Sequence, residues 1–231
     1  MPCDRLDPYA ISYGARPNFQ RIALARPDSV ARMATVATDA DFDAALATIV
    51  AAFQEDPLWA WMFPDPDERA AQHATVFGLY IESALPNGSV WMTDQEASAV
   101  AVFTPPGEPE LSEHAEARLE PFFREALGEL APGRLETIER FQAALPDGPA
   151  FYYLSYLGTR PDSRGRGIGM SLLAELGALA DAEGRPIYLE STNPANTPRY
   201  ERLGFKGRTE FTTPDDSHIV TTMWREPAVS R

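Results

Sequence analysis

The chain has 231 residues and carries 34 acidic against 20 basic side chains, which gives a net charge of −14. Its hydrophobic content of 44% and charged content of 23% are ordinary for a globular protein, and they exclude a collagen-like, coiled-coil or wholly disordered chain. The negative charge opposes nucleic-acid binding as the main activity; it either attracts a cationic substrate or serves solubility alone.

One domain is expected, because this length buries one full hydrophobic core but not two typical ones. Residues 1–31 form an expected N-terminal extension, interrupted by Pro8, Pro17 and Pro27, ahead of a single domain at 32–226. Cys3 is the only cysteine, which excludes an intramolecular disulfide and favours a cytoplasmic protein. No apolar run is long enough for a signal peptide or a membrane span, so no membrane partner is expected.

The first half of this domain predicts two helices between short strands. Met33–Ala37 predicts a strand, and Thr38-Asp-Ala-Asp41 has the pattern of a capping box before an amphipathic helix. The proline-rich stretch 54–66 predicts a loop, with Asp65 and Pro66 starting the second helix. That helix ends at Asn87-Gly88, and the next two segments predict an antiparallel hairpin, Ser89–Thr93 and Ser98–Thr104.

The second half predicts a helical insertion and then alternating strands and helices. Two helical patterns fall within residues 105–149, and Phe151–Leu157 is the strongest strand pattern of the chain. It runs into a glycine-rich turn and a leucine-rich helix. A strand at Ile187–Thr192, a short helix at Thr197–Leu203 and a hairpin at Phe205–Arg225 complete the domain.

The glycine-rich turn is the segment most informative about chemistry. Its glycines allow close backbone approach to a ligand, and amides at the start of the following helix point towards an anion such as a pyrophosphate. Arg164 and Arg166 add positive charge in an otherwise acidic chain. The dinucleotide fingerprint is excluded because Met170 directly follows Gly169, and no Gly-Lys-Ser/Thr of a Walker loop is present.

The pattern Arg-x-x-Gly-x-Gly, formed by Arg164, Gly167 and Gly169, resembles the acetyl-CoA pyrophosphate loop of the GNAT superfamily of N-acetyltransferases. The order of elements from Met33 to Arg225 and the segment Tyr200-Glu-Arg-Leu-Gly-Phe205 strengthen the resemblance. It implies an α/β fold in which helices flank a mixed, mostly antiparallel twisted sheet. The hairpin, the insertion and the segment Leu189–Tyr200 look like the puromycin N-acetyltransferase branch.

The resemblance also implies residue roles. Glu190 would be the base that accepts the amine proton, and Tyr200 the acid that protonates the coenzyme A sulfur. A carboxylate at a strand end and a packed tyrosine are the structural alternatives. Asn196 would contact the cofactor, or else cap a helix or form an Asx turn. The remaining cofactor-binding positions are Leu157, Gly158, Thr159, Arg164, Gly165, Arg166, Gly167, Ile168, Gly169, Met170 and Ser171.

Four aromatic residues could line an acceptor pocket, although aromatics near a helix end also serve as core: Trp59, Trp61, Phe63 and Tyr80. His73, His114 and His218 lie on different elements without ligand spacing, so no metal is assigned. The one thiol, Cys3, lies outside the motifs, so direct transfer is favoured over an acetyl-cysteine intermediate.

The expected function is acetyl transfer from acetyl-CoA to the primary amine of a small, aminonucleoside-like or antibiotic-like molecule, which would connect the protein with antibiotic resistance. A monomer or homodimer is expected. Two alternatives are an acetyltransferase of protein or peptide N-termini and a sensor that binds acetyl-CoA without transferring it. An open groove would favour the acetyltransferase of N-termini, and a closed pocket would favour the small-molecule acceptor. Thiol release in the presence of an amine would distinguish an enzyme from a sensor.

Overall fold

The computed structural model describes residues 34–228. The proposed extension at 1–31, including Cys3, and Met33 lie outside the described residues. A single seven-stranded sheet forms in the order β1-β2-β3-β4-β5-β7-β6, and helices flank it. All neighbouring strands are antiparallel except β4 and β5, which are parallel. The predicted fold class, a mixed and mostly antiparallel α/β sheet, is confirmed.

The strands are β1 (Thr35–Val36), β2 (Val90–Met92), β3 (Ala99–Thr104), β4 (Tyr152–Thr159), β5 (Ile187–Ser191), β6 (Lys206–Thr212) and β7 (Ile219–Arg225). The helices are α1 (Phe42–Phe53), α2 (Pro57–Met62), α3 (Arg69–Ala84), α4 (Glu113–Leu127), α5 (Ala131–Ala143), α6 (Ile168–Ala182) and α7 (Thr197–Glu201). The predicted elements therefore all form, most of them within a few residues of the expected bounds.

Local side-chain chemistry explains where the first helices begin. The backbone amide and hydroxyl of Thr38 both donate to Asp41 Oδ2, at 2.8 and 2.7 Å, which confirms the capping box ahead of α1. The prediction of a loop over residues 54–66 is wrong for Pro57–Met62, which form α2. Asp56 Oδ1 accepts from the amides of Leu58 and Trp59 at 3.1 and 3.2 Å, and Pro57 occupies the first turn, so this proline helps to start a helix.

The second predicted helix begins later than Asp65 and Pro66 indicated. Asp65 Oδ1 accepts from the amide of Asp67 at 2.9 Å, and the backbone turns over residues 66–68 before α3 starts at Arg69. The Asp65 carboxylate therefore closes a local turn and does not cap a helix, a competition that is common for this residue type.

The hydrophobic core lies on both faces of the sheet. Val90 and Met92 of β2 pack into one cluster with α1, α3 and α4, whereas Trp91 packs into a second cluster with α6. This alternation follows from the two-residue period of a strand. The central strands are consequently covered on both sides, and β3 is buried along its whole length.

Strands β4 and β5 pair only at their first residues. Their parallel register covers Tyr152 with Ile187 and Tyr153 with Tyr188, after which the two strands separate. Each strand stays paired on its outer edge, β4 with β3 and β5 with β7. The register between β3 and β4 also shifts so that Ser155 is an extra residue in β4. Such bulges re-aim side chains and are frequent near functional sites.

The insertion between β3 and β4 forms the two predicted helices, and α5 is tied to the sheet. Arg140 donates to the carbonyl oxygen of Thr212 at 2.6 Å, and the Tyr188 hydroxyl donates to the carbonyl oxygen of Ala144 at 3.2 Å. The insertion therefore closes over the separated strands as a wall of the fold.

Asp181→Asn should lower the free energy of unfolding by about 2 kcal/mol, because it breaks a largely buried ion pair that joins α6 to β7. Both nitrogens of the Arg225 fork lie 2.7 Å from the Asp181 carboxylate oxygens. Chemical denaturation measures the change. Asp162→Asn, in an exposed pair with Arg160, is the matched control and should change stability by less than about 0.5 kcal/mol. Equal effects of the two substitutions would contradict this interpretation.

Candidate active site

A cavity of about 870 Å³ lies where β4 and β5 separate. Its walls come from β4 and β5, from the ends of α1 and α2, from the start of α6, from α7 and from α5. The strands leave this space because their hydrogen-bonded register ends after two residues. Most of the residues singled out in the sequence as site residues line this one space.

The glycine-rich turn stands at the edge of the cavity. Gly165 and Gly167 adopt φ values of +79° and +76°, a left-handed conformation that other residues rarely take, and α6 begins at Ile168. A Cβ built on either glycine would meet no atom within 4 Å, so the space in front of the turn is open. Amides at this helix start have no earlier turn to bond to, and they suit an anion.

The predicted loop residues divide into two groups. Those that line the cavity are Arg164, Gly165, Gly167, Ile168, Gly169 and Met170. Arg164 is anchored, since its guanidinium donates to the carbonyl oxygen of Ala52 in α1 at 2.9 Å. Arg166 is exposed and does not line the cavity. Ser171 does not line it either, and its hydroxyl donates to the carbonyl oxygen of Gly167 at 3.2 Å.

Two of the predicted cofactor glycines are needed for packing. A Cβ on Gly158 would lie 2.8 Å from Ile49 Cδ1, so α1 can approach β4 only because this side chain is absent. A Cβ on Gly169 would lie 2.5 Å from Thr159 Oγ1, so α6 can likewise approach β4 only because this side chain is absent. Leu157 and Thr159 line the cavity, whereas Gly158 does not.

Glu190 lies in β5 and lines the cavity. Its Oε1 is buried and has no hydrogen-bond partner among residues 34–228. Burial raises the pKa of Glu190 to about 8; hydrogen bonding from Tyr188 opposes this shift, and the charge of Glu110 adds to it. A carboxylate with a raised pKa and a free oxygen can act as a proton acceptor at a pH of about 8 and above.

Tyr200, in α7, lines the same cavity. Burial and the nearby negative charge of Asp56 raise the pKa of Tyr200 to about 12, so the phenol stays protonated and able to donate. Asp56 is held by the Thr192 hydroxyl, which donates to its Oδ2 at 3.2 Å. The base and acid candidates therefore come from adjacent elements at the end of β5.

Asn196 also lines the cavity, but its amide oxygen accepts from Arg199 Nη1 at 3.1 Å and makes no side-chain cap on α7. The Asx turn in this segment belongs to Asn193, whose Oδ1 accepts from the amide of Ala195 at 3.0 Å. Asn196 therefore occupies the N-cap position of α7 without capping it through its side chain, and the Asx-turn interpretation of Asn196 is wrong.

The four aromatic candidates are not equivalent. Trp59 and Tyr80 line the cavity. Phe63 is fully buried in the core, and Trp61 lies outside the cavity, where its Nε1 donates to Asp215 Oδ2 at 2.9 Å. Trp59 and Trp61 differ because positions two apart on α2 point to different sides of the helix. Phe63 follows the end of α2, and its ring stacks on that of Trp59.

Sequence reasoning missed Glu110, Tyr153 and Tyr156, which also line the cavity. Burial raises the pKa of Glu110 to about 7, and a hydrogen bond with Ser155 partly opposes the shift. The strand alternation could have drawn attention to the two tyrosines of β4. No local signal identifies Glu110, because it lies in the irregular segment between β3 and α4.

Within the described part of the chain, no three His, Cys, Asp or Glu side chains are grouped so as to hold a metal ion. The same residues include no helix with the length and apolar content needed to cross a bilayer.

Comparisons with known proteins agree with this geometry. A family model described as the Acetyltransferase (GNAT) domain matches residues 134–207, from α5 to the start of β6. The chain is 36% identical over 78 residues to an uncharacterized N-acetyltransferase of Schizosaccharomyces pombe. That match covers 33% of this chain and spans about a third, 32%, of the yeast relative.

Two solved structures extend the likeness beyond this segment. One is a histone acetyltransferase HPA2 and related acetyltransferase from Corynebacterium glutamicum; it is 28% identical, with a TM-score of 0.62, covering 86% of this chain and 97% of that one. The other is an apo form of a mutant agmatine N-acetyltransferase, at 17% identity and a TM-score of 0.60, covering 84% of this chain and 98% of that one. The second shows the shared fold alone.

These relatives do not support the puromycin N-acetyltransferase branch that the hairpin and the segment Leu189–Tyr200 indicated. They support the superfamily, through a family match centred on the glycine-rich turn and a common fold over most of the chain. On this combined evidence, residues 134–207 match the GNAT acetyltransferase domain, and most of the chain shares the fold of a solved acetyltransferase.

Proposed function

We propose that this protein is an N-acetyltransferase that moves an acetyl group from acetyl-CoA to a primary amine of a small molecule by direct transfer. The observation that carries the proposal is that Glu190, Tyr200 and the glycine-rich turn all border one cavity. An agmatine N-acetyltransferase shares the fold, and its name is that of an enzyme acting on a small amine.

The cavity fits acetyl-CoA at its glycine-rich edge. Open space in front of Gly165 and Gly167 leaves room for a pyrophosphate, and the start of α6 supplies amide donors for it. Arg164 adds positive charge there, and Leu157 and Thr159 of β4 would contact the pantetheine arm. When bound, acetyl-CoA supplies the acetyl group as a thioester.

Acetylation forms a bond from the amine nitrogen to the acetyl carbon and breaks the bond from that carbon to sulfur. Glu190 accepts the proton that the amine must lose, because an ammonium has no lone pair for attack. Tyr200 donates a proton to the departing thiolate and is reprotonated by the second proton, which the nitrogen loses as the amide forms. Both side chains are in the required protonation states, carboxylate and phenol, when the pH is at or above about 8.

A small-molecule acceptor is favoured over a peptide because α5 forms one wall of the cavity. Ile138, Phe141 and Leu145 line it from the insertion. An extended peptide needs an open groove or a free strand edge. Puromycin and other aminonucleosides belong in the same acceptor panel as simple alkylamines and arylalkylamines.

Incubation with acetyl-CoA and this amine panel should release thiol and yield products heavier by one acetyl group, measured by mass spectrometry. Glu190→Gln should lower kcat by about a hundredfold or more, and Tyr200→Phe by about tenfold or more, with little change in acetyl-CoA affinity. Tight acetyl-CoA binding without thiol release for any amine or peptide would contradict transfer and favour a sensor. Wild-type turnover in both variants would remove the two assigned roles.

Gly167→Asp should weaken acetyl-CoA binding at least about tenfold relative to Gly167→Asn, measured by calorimetry. Both side chains tolerate the left-handed backbone at this position and have nearly the same shape. They differ in charge, and a carboxylate at the start of α6 repels a pyrophosphate. The same affinity in both variants would contradict the assignment of the turn.

The pH profile of kcat should rise to a plateau with an apparent pKa near 8. The base acts as the carboxylate, so activity falls by about tenfold per pH unit below that value. Tyr200, with a pKa of about 12, stays protonated over the same range. Glu190→Gln should abolish this fall of kcat at low pH. A wild-type profile whose apparent pKa lies near the ordinary value of a glutamate would contradict the role of Glu190.

A further inference from the structure

Glu110 is a second carboxylate in the cavity, and the mechanism above does not use it. It lies at the end of the segment that joins β3 to α4, and it lines the same space as Glu190 of β5. A hydrogen bond links it to Ser155, the extra residue of the bulge in β4. The bulge and the insertion together thus place this acid opposite the catalytic elements.

Neither carboxylate has a cationic partner in the part of the chain that the structure describes. None of the ion pairs there involves Glu110 or Glu190. Three arginines lie on the cavity wall. Arg164 donates to the carbonyl oxygen of Ala52 and Arg199 to the side chain of Asn196, while Arg202 is exposed and forms none of the ion pairs of the described residues. Paired negative charge in a partly buried space is costly, so at a pH where both carboxylates are ionised a cation that enters between them is stabilised.

The other groups near the two carboxylates are neutral. Burial, together with charges that include those of Glu110 and Glu190, raises the pKa of Tyr153 and of Tyr156 well above the ordinary value, so both phenols stay protonated. Tyr80 and Phe141 add aromatic faces to the wall. Phenols and ring faces attract an ammonium group, but they supply no full negative charge. The charge that must be balanced is therefore that of the two acids.

We propose that the acceptor carries two cationic nitrogens, and that Glu110 binds the one that is not acetylated. This inference rests on the proposed function, in which Glu190 takes the proton of the reacting nitrogen. After that proton transfer Glu190 is neutral, and the second ammonium still faces one carboxylate, Glu110. A monoamine has no second charge and leaves Glu110 without a counterion. The chemical class is thus a diamine, or an amine with a distant guanidinium.

The test compares diaminopropane, diaminobutane and diaminopentane with the monoamines of the same chain lengths, with acetyl-CoA and thiol release as the assay. For at least one length, kcat/KM should favour the diamine by about tenfold or more. Glu110→Gln should reduce this preference to near unity. Glu108→Gln, the same charge change at an exposed position of the same segment, should keep it.

Two further measurements protect the test against a variant that merely folds poorly. Calorimetry of diaminobutane with each protein should show weaker binding to Glu110→Gln than to Glu108→Gln at equal thermal stability. Ser155→Ala, which removes a hydroxyl partner of Glu110 and keeps the carboxylate, should lose part of the diamine preference.

The outcomes separate the two proposals. Equal turnover of diamines and monoamines by the wild type, or a diamine preference that survives Glu110→Gln, would overturn the role of Glu110 while acetyl transfer stands. Absence of thiol release with every amine of the wider panel would overturn the proposed function itself.

Discussion

The separation of β4 from β5 is the constraint on which the rest of the site depends. The two parallel strands share only two register pairs, and each is then held on its outer edge by an antiparallel neighbour. Neither strand can move back towards the other without breaking those outer ladders, so the gap is built into the sheet. The glycine-rich turn after β4 and the Glu190–Tyr200 segment on and after β5 consequently border one space.

The insertion completes this space, and contacts remote from the cavity fix its position. The Arg134 guanidinium of α5 lies 3.4 Å above the ring of Trp61 in α2, and Trp61 in turn bonds to Asp215 at the tip of the β6–β7 hairpin. Hydrogen bonds from Thr213 and Ser217 keep the pKa of Asp215 well below its ordinary value, so it stays charged. Three segments distant in sequence are thereby joined, and α5 becomes a wall of the cavity.

Charge is distributed unequally along the cavity. Arg164 and helix-start amides lie at the glycine-rich edge, where an anionic group would bind. Two carboxylates, Glu110 and Glu190, and the phenols of Tyr153 and Tyr156 line the part formed by β4, β5 and the segment before α4. Such separation steers two ligands of opposite charge to different ends of one space. The net charge of −14 attracts a cationic ligand and repels an anionic one. Local positive charge at the turn is therefore needed.

The sequence by itself determined the order of the strands and helices and the position of the glycine-rich turn. Periodicity identified the strands and helices, and the spacing of Arg164, Gly167 and Gly169 identified the loop, because these are local properties of the chain. Only tertiary structure decided that Asp56 and Pro57 start a helix within an apparent loop, and that this helix turns Trp59 towards the cavity and Trp61 away from it. It alone brought Glu110 to Glu190, since a cavity joins residues through packing and strand register, which no sequence spacing records.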